Sequence, residues 1–194
     1  MTMKMTPKDA LYATYDNSRL SAAFERLRRD IASMRRHRRG GRVKPHKLIL
    51  LLAVTDLFED GLLYDNRVYF NDDLRQRFKF YFSLAACPDD SCRAHIPFVH
   101  LRSVDWWQLQ PKHGRLISFS EMRTCHSAGE VVKNIECATI DEDVCEVFMH
   151  PGLRGEIRRV IASELGDPRI ADVFYSDTHS KGGPKWLPRR NGLD

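Results

Sequence analysis

The segment Leu48-Ile49-Leu50-Leu51-Leu52-Ala53-Val54 constrains this chain more than any other. Pro45 suits the first turn of a helix, and the helix it opens, about residues 45–59, is apolar nearly all round. A helix without a polar face is normally buried, so this one belongs inside a packed domain. The run stops at Thr55-Asp56, short of the roughly 18 apolar residues a membrane-spanning helix needs. With 194 residues and 42% apolar content the chain can cover such a helix without disulfides. Its five cysteines are an odd number, which excludes a fully paired intramolecular framework. No signal-peptide core follows Met1, so a cytoplasmic chain with reduced thiols and no membrane contact is expected.

The flanking patterns supply the rest of the fold class. Leu20, Phe24, Leu27, Ile31 and Met34 recur at spacings of four and three, one face of a helix that starts near Ser18 and ends before Gly40-Gly41. Residues 1–15 show no clear period and read as a lead-in. Asp60-Gly61 ends the apolar helix, and Leu62-Leu63-Tyr64 with Val68-Tyr69-Phe70 reads as a small hairpin. Asn71 is a good cap for a helix over 72–84, with Leu74, Phe78, Tyr81 and Phe82 on its apolar face. Residues 85–94 form a loop. Strands are expected over 97–101, 106–110 and 115–119, then a helix capped by Ser120 and two more over 141–149 and 153–165. The expectation is a mainly helical α+β domain with a small antiparallel sheet or hairpins, covering 16–166. Residues 167–194, with Gly182-Gly183-Pro184 and scattered charge, read as an extended or disordered tail.

Charge is concentrated in one place. The net charge is +5, but residues 25–47 alone carry ten Lys or Arg against Glu25 and Asp30, a local +8 beside a remainder of −3. Arg35, Arg36, Arg38, Arg39, Arg42 and Lys44 fall within ten residues between two helices. A helix C-terminus favours one or two cations, not six. Such a patch suits a polyanion, above all a phosphate backbone, with steeply salt-dependent binding.

Other constellations are weaker. Cys87, Cys92, His95 and His100 run C-x4-C-x2-H-x4-H, but the spacing is poor for zinc and no metal or cofactor is implied. Cys125, Cys137 and Cys145 read as packing residues. No nucleophile elbow, P-loop or H-E-x-x-H occurs, so catalysis is not indicated. Trp106-Trp107 opens a strand, so one ring should face the core and the other outward, in a half-buried strand with one ring covered by a neighbouring helix; base stacking is the alternative.

Two stretches together carry a resemblance. Lys44-Pro45-His46-Lys47-Leu48-Ile49-Leu50-Leu51-Leu52 resembles the P-H-K/R-P-L-L-L-L opening of the sulfur-binding domain of McrA-type HNH restriction endonucleases. Ile96-Pro97-Phe98-Val99-His100-Leu101, followed by Trp106-Trp107-Gln108-Leu109, resembles that domain's Y-P-F-x-x-L…W-x-L pair. The similarity spans about residues 18–166. Ile96 stands where the family has an aromatic, and His100 where a small residue is usual.

The resemblance implies a reader of double-stranded DNA in which sulfur replaces a non-bridging phosphate oxygen. His46 and Lys47 would flank the modified phosphate, with Pro97 as an apolar floor and Ile96 and His100 beside it. Sulfur is softer and a weaker hydrogen-bond acceptor than oxygen, so an apolar pocket penalises ordinary phosphate more. Arg123 is a candidate for base reading, with Lys112 and Arg115 on the backbone. Only 28 residues follow Gly166, with His179 as their one histidine, too few for an HNH nuclease. A non-catalytic reader in restriction or anti-phage defence, with a separate or fused nuclease partner, is therefore expected. Two alternatives stay open: a DNA- or RNA-binding accessory protein without sulfur preference, and an enzyme or adaptor using the Cys87–His100 stretch or the tail.

Overall fold

The computed structural model describes residues 7–34, 38–39, 42–87, 90–116, 119 and 125–170, for 7–16, 38–39 and 42–43 the backbone alone. In chain order the elements are α1 (Pro7–Ser33), β1 (Arg38–Arg39), β2 (Arg42–Val43), α2 (His46–Glu59), β3 (Arg67–Val68), α3 (Asp72–Ala85) and α4 (His95–His100). A 3-10 turn (Leu101–Ser103), β4 (Trp107–Pro111), α5 (Ala128–Asn134), β5 (Ile135–Ile140), α6 (Glu142–Met149) and α7 (Pro151–Leu165) follow. The fold is α+β, mainly helical, with a small antiparallel sheet.

The apolar helix sits at the centre. Every residue of α2 from Leu48 to Phe58 is buried. It packs against α3, α4, α6 and α7, which together cover a surface with no polar side to give to solvent. Each fully buried leucine or isoleucine adds roughly 1.5–3 kcal/mol of hydrophobic stabilisation. Asp60 closes the helix, and Gly61 takes a φ of +67°, a conformation that costs glycine nothing. Asn71 caps α3, its side chain accepting from the Leu74 N–H, as its position before two acids implied. α1 buries Ala23, Leu27 and Ile31, with Met34 buried just after it, and packs on α6 and α7. It starts at Pro7, inside the stretch read as a lead-in. Beyond Gly166, Ile170 is fully buried, so packing continues into the first residues read as tail.

The sheet has the order β3-β5-β4, all antiparallel. β5 is its middle strand and was not expected from the sequence. It follows α5 with no glycine or proline between them, so nothing in the chain marks the change of period. β3 pairs with β5, Val68 opposite Ala138, and not with Leu62-Leu63-Tyr64. Two three-residue runs make a marginal hairpin alone, and pairing with a central strand is the stronger solution.

Two further expected strands are helical. Residues 97–101 fall in α4 and the 3-10 turn. Pro97 is the third residue of α4, where an amide has no intrahelical acceptor, so the ring is tolerated. Of 115–119, Leu116 and Phe119 are also helical, the Phe119 N–H bonding the Arg115 carbonyl at 2.9 Å. Ser120 lies outside the described residues. The cap of the described helix α5 is Ser127, whose hydroxyl accepts from the Glu130 N–H at 3.1 Å while Glu130 accepts from the His126 N–H at 2.8 Å. Among the described residues no helix is long and apolar enough to cross a membrane.

Trp106 and Trp107 are both buried, where one was expected to face outward. Each indole N–H finds a partner: Trp106 donates to Asp30 Oδ2 on α1, and Trp107 to the Phe98 carbonyl, both at 3.0 Å. A ring fixed in this way is not available to stack on a base.

Candidate nucleic-acid interface

The arginines of α1 are already engaged. Arg19 pairs with Asp143, Arg26 with Asp141 and Arg28 with Glu25, while Arg29 donates to the Glu25 carbonyl. These pairs tie α1 to α6 or to itself, and they remove part of the local excess read from composition. The excess that remains lies between α1 and the first turn of α2.

There the chain forms a two-stranded antiparallel ribbon, β1 with β2, and not a plain loop. Its register sets Arg38 opposite Val43 and Arg39 opposite Arg42. Arg35, Arg36 and Arg123 lie outside the described residues. Lys44 follows the ribbon and forms an ion pair with Asp90, whose carboxylate is buried. The 85–94 loop is thereby tied to the start of α2.

The first turn of α2 presents His46 and Lys47. The His46 Nε2 lies 3.2 Å from the Ser91 carbonyl, and its ring meets Phe82 edge-on with centroids 5.3 Å apart. Lys47 Nζ donates to Ser103 Oγ at 2.8 Å, linking α2 to the 3-10 turn. On α4, Pro97 is buried, Ile96 is half-buried and His100 is exposed. Partial burial, then the nearby Lys47 and Arg102 cations, hold the His100 imidazole below its ordinary pKa. Burial and Arg93 act in the same direction on His95.

The fold thus brings the two distant stretches together. Lys47 on α2 reaches the turn after α4 through Ser103 and its charge acts on His100, while His46 lies against Phe82 of α3 and the Ser91 carbonyl. Pro97 lies in the packed side of α4, so Ile96 and His100 are the members of that helix that reach solvent. Arg102 and Ser103 join this face without having been singled out from sequence. The signal for Arg102 was its position two residues after His100, and that for Ser103 was absent, since a serine in a break reads only as a turn. Lys112 is half-buried and Arg115 exposed, next to a turn in which Gly114 has a φ of +72°.

The cysteines sort by depth. Cys125, Cys137 and Cys145 are buried, and burial pushes the Cys145 thiol up to about 11, as for packing residues. Cys87 is half-buried and Cys92 exposed in the 85–94 loop. Among the described residues no group of three or more His, Cys, Asp or Glu side chains could hold a metal ion. No protein-family model matches the chain, and no curated protein matches it.

Proposed function

We propose that this chain is a non-catalytic, cytoplasmic DNA-binding module that reads phosphorothioate-modified duplexes, in restriction or anti-phage defence and alongside a separate or fused nuclease. One observation carries the reading: α2, whose first turn holds His46 and Lys47, packs on α4, which holds Ile96, Pro97 and His100, and Lys47 bonds Ser103 in the turn after it. These are the two stretches on which the resemblance to the sulfur-binding domain rests. In this reading Arg35, Arg36, Arg38, Arg39 and Arg42 follow the phosphate backbone. Lys47 and His46 flank one phosphate, and the apolar Ile96 side chain desolvates its non-bridging position. Sulfur tolerates that loss of hydration better than oxygen.

A second reading, DNA or RNA binding without sulfur preference, has its own support. Pro97 is packed inward, and the apolar floor then rests on Ile96 alone. The two readings separate in one titration of matched duplexes, with and without a single Rp phosphorothioate, at fixed salt. The first expects clearly tighter binding of the sulfur duplex, and His46→Ala or Ile96→Ala narrowing the ratio. Equal affinities overturn it in favour of the second, and an absence of salt-sensitive binding to either duplex overturns both. Lys47→Ala should weaken both duplexes and reduce the salt slope by about one.

A further inference from the structure

Beside the basic run that leads into α2 stands an acid with no obvious place in phosphate binding. Asp90 forms an ion pair with Lys44, and its side chain is buried, only 2% exposed. The carboxylate is fixed from its own side of that contact. The Asp90 N–H donates to the Cys87 carbonyl at 2.9 Å, and Asp90 Oδ2 accepts from the Cys87 N–H at 3.3 Å. The next residue makes a second link to the same turn, the Ser91 carbonyl accepting from His46 Nε2 at 3.2 Å. We propose that Asp90 is a positioning residue for the nucleic-acid site: through Lys44 and the adjoining Ser91 it fixes the first turn of α2 in the conformation that receives a phosphate, without touching the nucleic acid itself. The inference rests on the DNA-binding reading but not on sulfur preference.

Two links between the same pair of segments define an orientation, where one would leave a pivot. Lys44 and His46 are separated only by Pro45, whose ring restricts the backbone between them, so holding Lys44 also restricts His46. The imidazole meets Phe82 of α3 on a further side, edge-on with centroids 5.3 Å apart. His46 therefore flanks a phosphate as a fixed ring, and Lys47, held at 2.8 Å by Ser103 Oγ, supplies the charge. The turn is ordered on folding, so binding does not have to supply that ordering. Electrostatics alone predicts the opposite sign for Asp90. A carboxylate near a phosphate-binding face repels the ligand, and its removal would raise affinity. As a positioning residue already neutralised by Lys44, Asp90 lowers affinity when it is removed. Lys44 is by the same logic used inside the protein and is not a phosphate contact, although its place in the basic run suggested one.

The test uses the full chain, one duplex with a single Rp phosphorothioate and one unmodified, and the variants Asp90→Asn, Lys44→Met and Lys44→Arg. Thermal melting checks that each variant is folded. In the free wild type, NMR should show a slowly exchanging imidazole N–H from His46, identified by its loss in His46→Ala. Lys44→Arg should keep that signal, and Asp90→Asn and Lys44→Met should lose it to exchange with water. The same two variants should bind both duplexes about tenfold more weakly than the wild type, and Lys44→Arg within about twofold of it. The salt slope should stay unchanged in all three, because no phosphate contact is removed. If Asp90→Asn does not fold, Lys44→Met reads the same link from its other end. Absence of the His46 signal in the wild type, unchanged or higher affinity in folded Asp90→Asn, or a salt slope reduced by about one in Lys44→Met would overturn the positioning role while leaving DNA binding intact. No salt-sensitive binding of either duplex by the wild type would instead remove the reading on which that role stands.

Discussion

The two ends of α2 handle charge in opposite ways. At the C-terminal end Asp56, Glu59 and Asp60 are each met by an arginine from another helix: Arg158 and Arg154 on α7 and Arg77 on α3. The Tyr81 hydroxyl adds a hydrogen bond of 2.8 Å to Asp56, and Arg154 also donates to the Phe148 carbonyl near the end of α6. At the N-terminal end Lys44 meets Asp90, but Lys47 is held by a serine hydroxyl, and His100 and Arg102 add further basic groups beside it. The same residue types build both regions. Where acids and arginines alternate across buried contacts, the charge holds helices together. At the N-terminal end the contact from Lys47 across segments is instead a lysine donating to a serine hydroxyl.

Removing a buried arginine should break this contrast most visibly. Arg77 has a side chain only 2% exposed and pairs with Asp60 and Asp73. Arg77→Ala should cost about 3–5 kcal/mol in urea unfolding, because it strands a carboxylate as well as deleting a cation. A loss below about 1 kcal/mol would mean that the acidic end is no more structural than an exposed ion pair.

Next in size is the pH response of Asp56. Burial is the main cause that raises its carboxyl from 3.8 to about 6, against the opposing pull of Arg158 and the Tyr81 hydrogen bond. Its folded pKa lies above its unfolded one, so between about pH 4 and about pH 6 the folded protein binds the extra proton. Asp56 therefore contributes stability that is fully present below the unfolded pKa and is lost as pH rises through the folded value, on the order of 3 kcal/mol in all. Unfolding free energies across that window should show the fall, and Asp56→Asn should flatten it. An unchanged profile in the variant would assign the pH response to other groups.

The smallest expected effect sharpens the other side of the comparison. Arg28 pairs with Glu25 on the surface of α1, both side chains about half exposed. Arg28→Ala should change stability by less than about 0.5 kcal/mol. It should also leave the salt slope of DNA binding unchanged, unlike Lys47→Ala. A slope change as large as that of Lys47→Ala would extend the interface onto α1.

Legibility followed the strength of local signals. α2, α3 and the α6–α7 pair could be read because their apolar spacing, caps and stops agree at each end. β5 could not, since Ile135–Ile140 follows α5 directly and its pairing with both neighbours is a long-range event. α4 was misread because Ile96-Pro97-Phe98-Val99 has no helical period within so few residues, and a proline suits either a strand start or a first helical turn. Trp106 and Trp107 broke the alternation rule because Asp30 and the Phe98 carbonyl supply partners on opposite sides. The candidate site was half legible. Its α2 residues follow from a basic run leading into a helix, whereas Arg102, Ser103 and Asp90 enter through contacts between segments far apart in the chain.

The sequence by itself determined that a helix apolar on all sides must be the centre of this protein, and that its cations crowd against the start of that helix. Hydrophobic burial and local charge are properties of short segments, so short segments suffice to read them. Only the tertiary structure decided which arginines are matched by carboxylates and which basic groups stand together on one face. That choice depends on which helix ends the packing brings within a few ångströms of each other, and electrostatic pairing at such range is set by the whole fold.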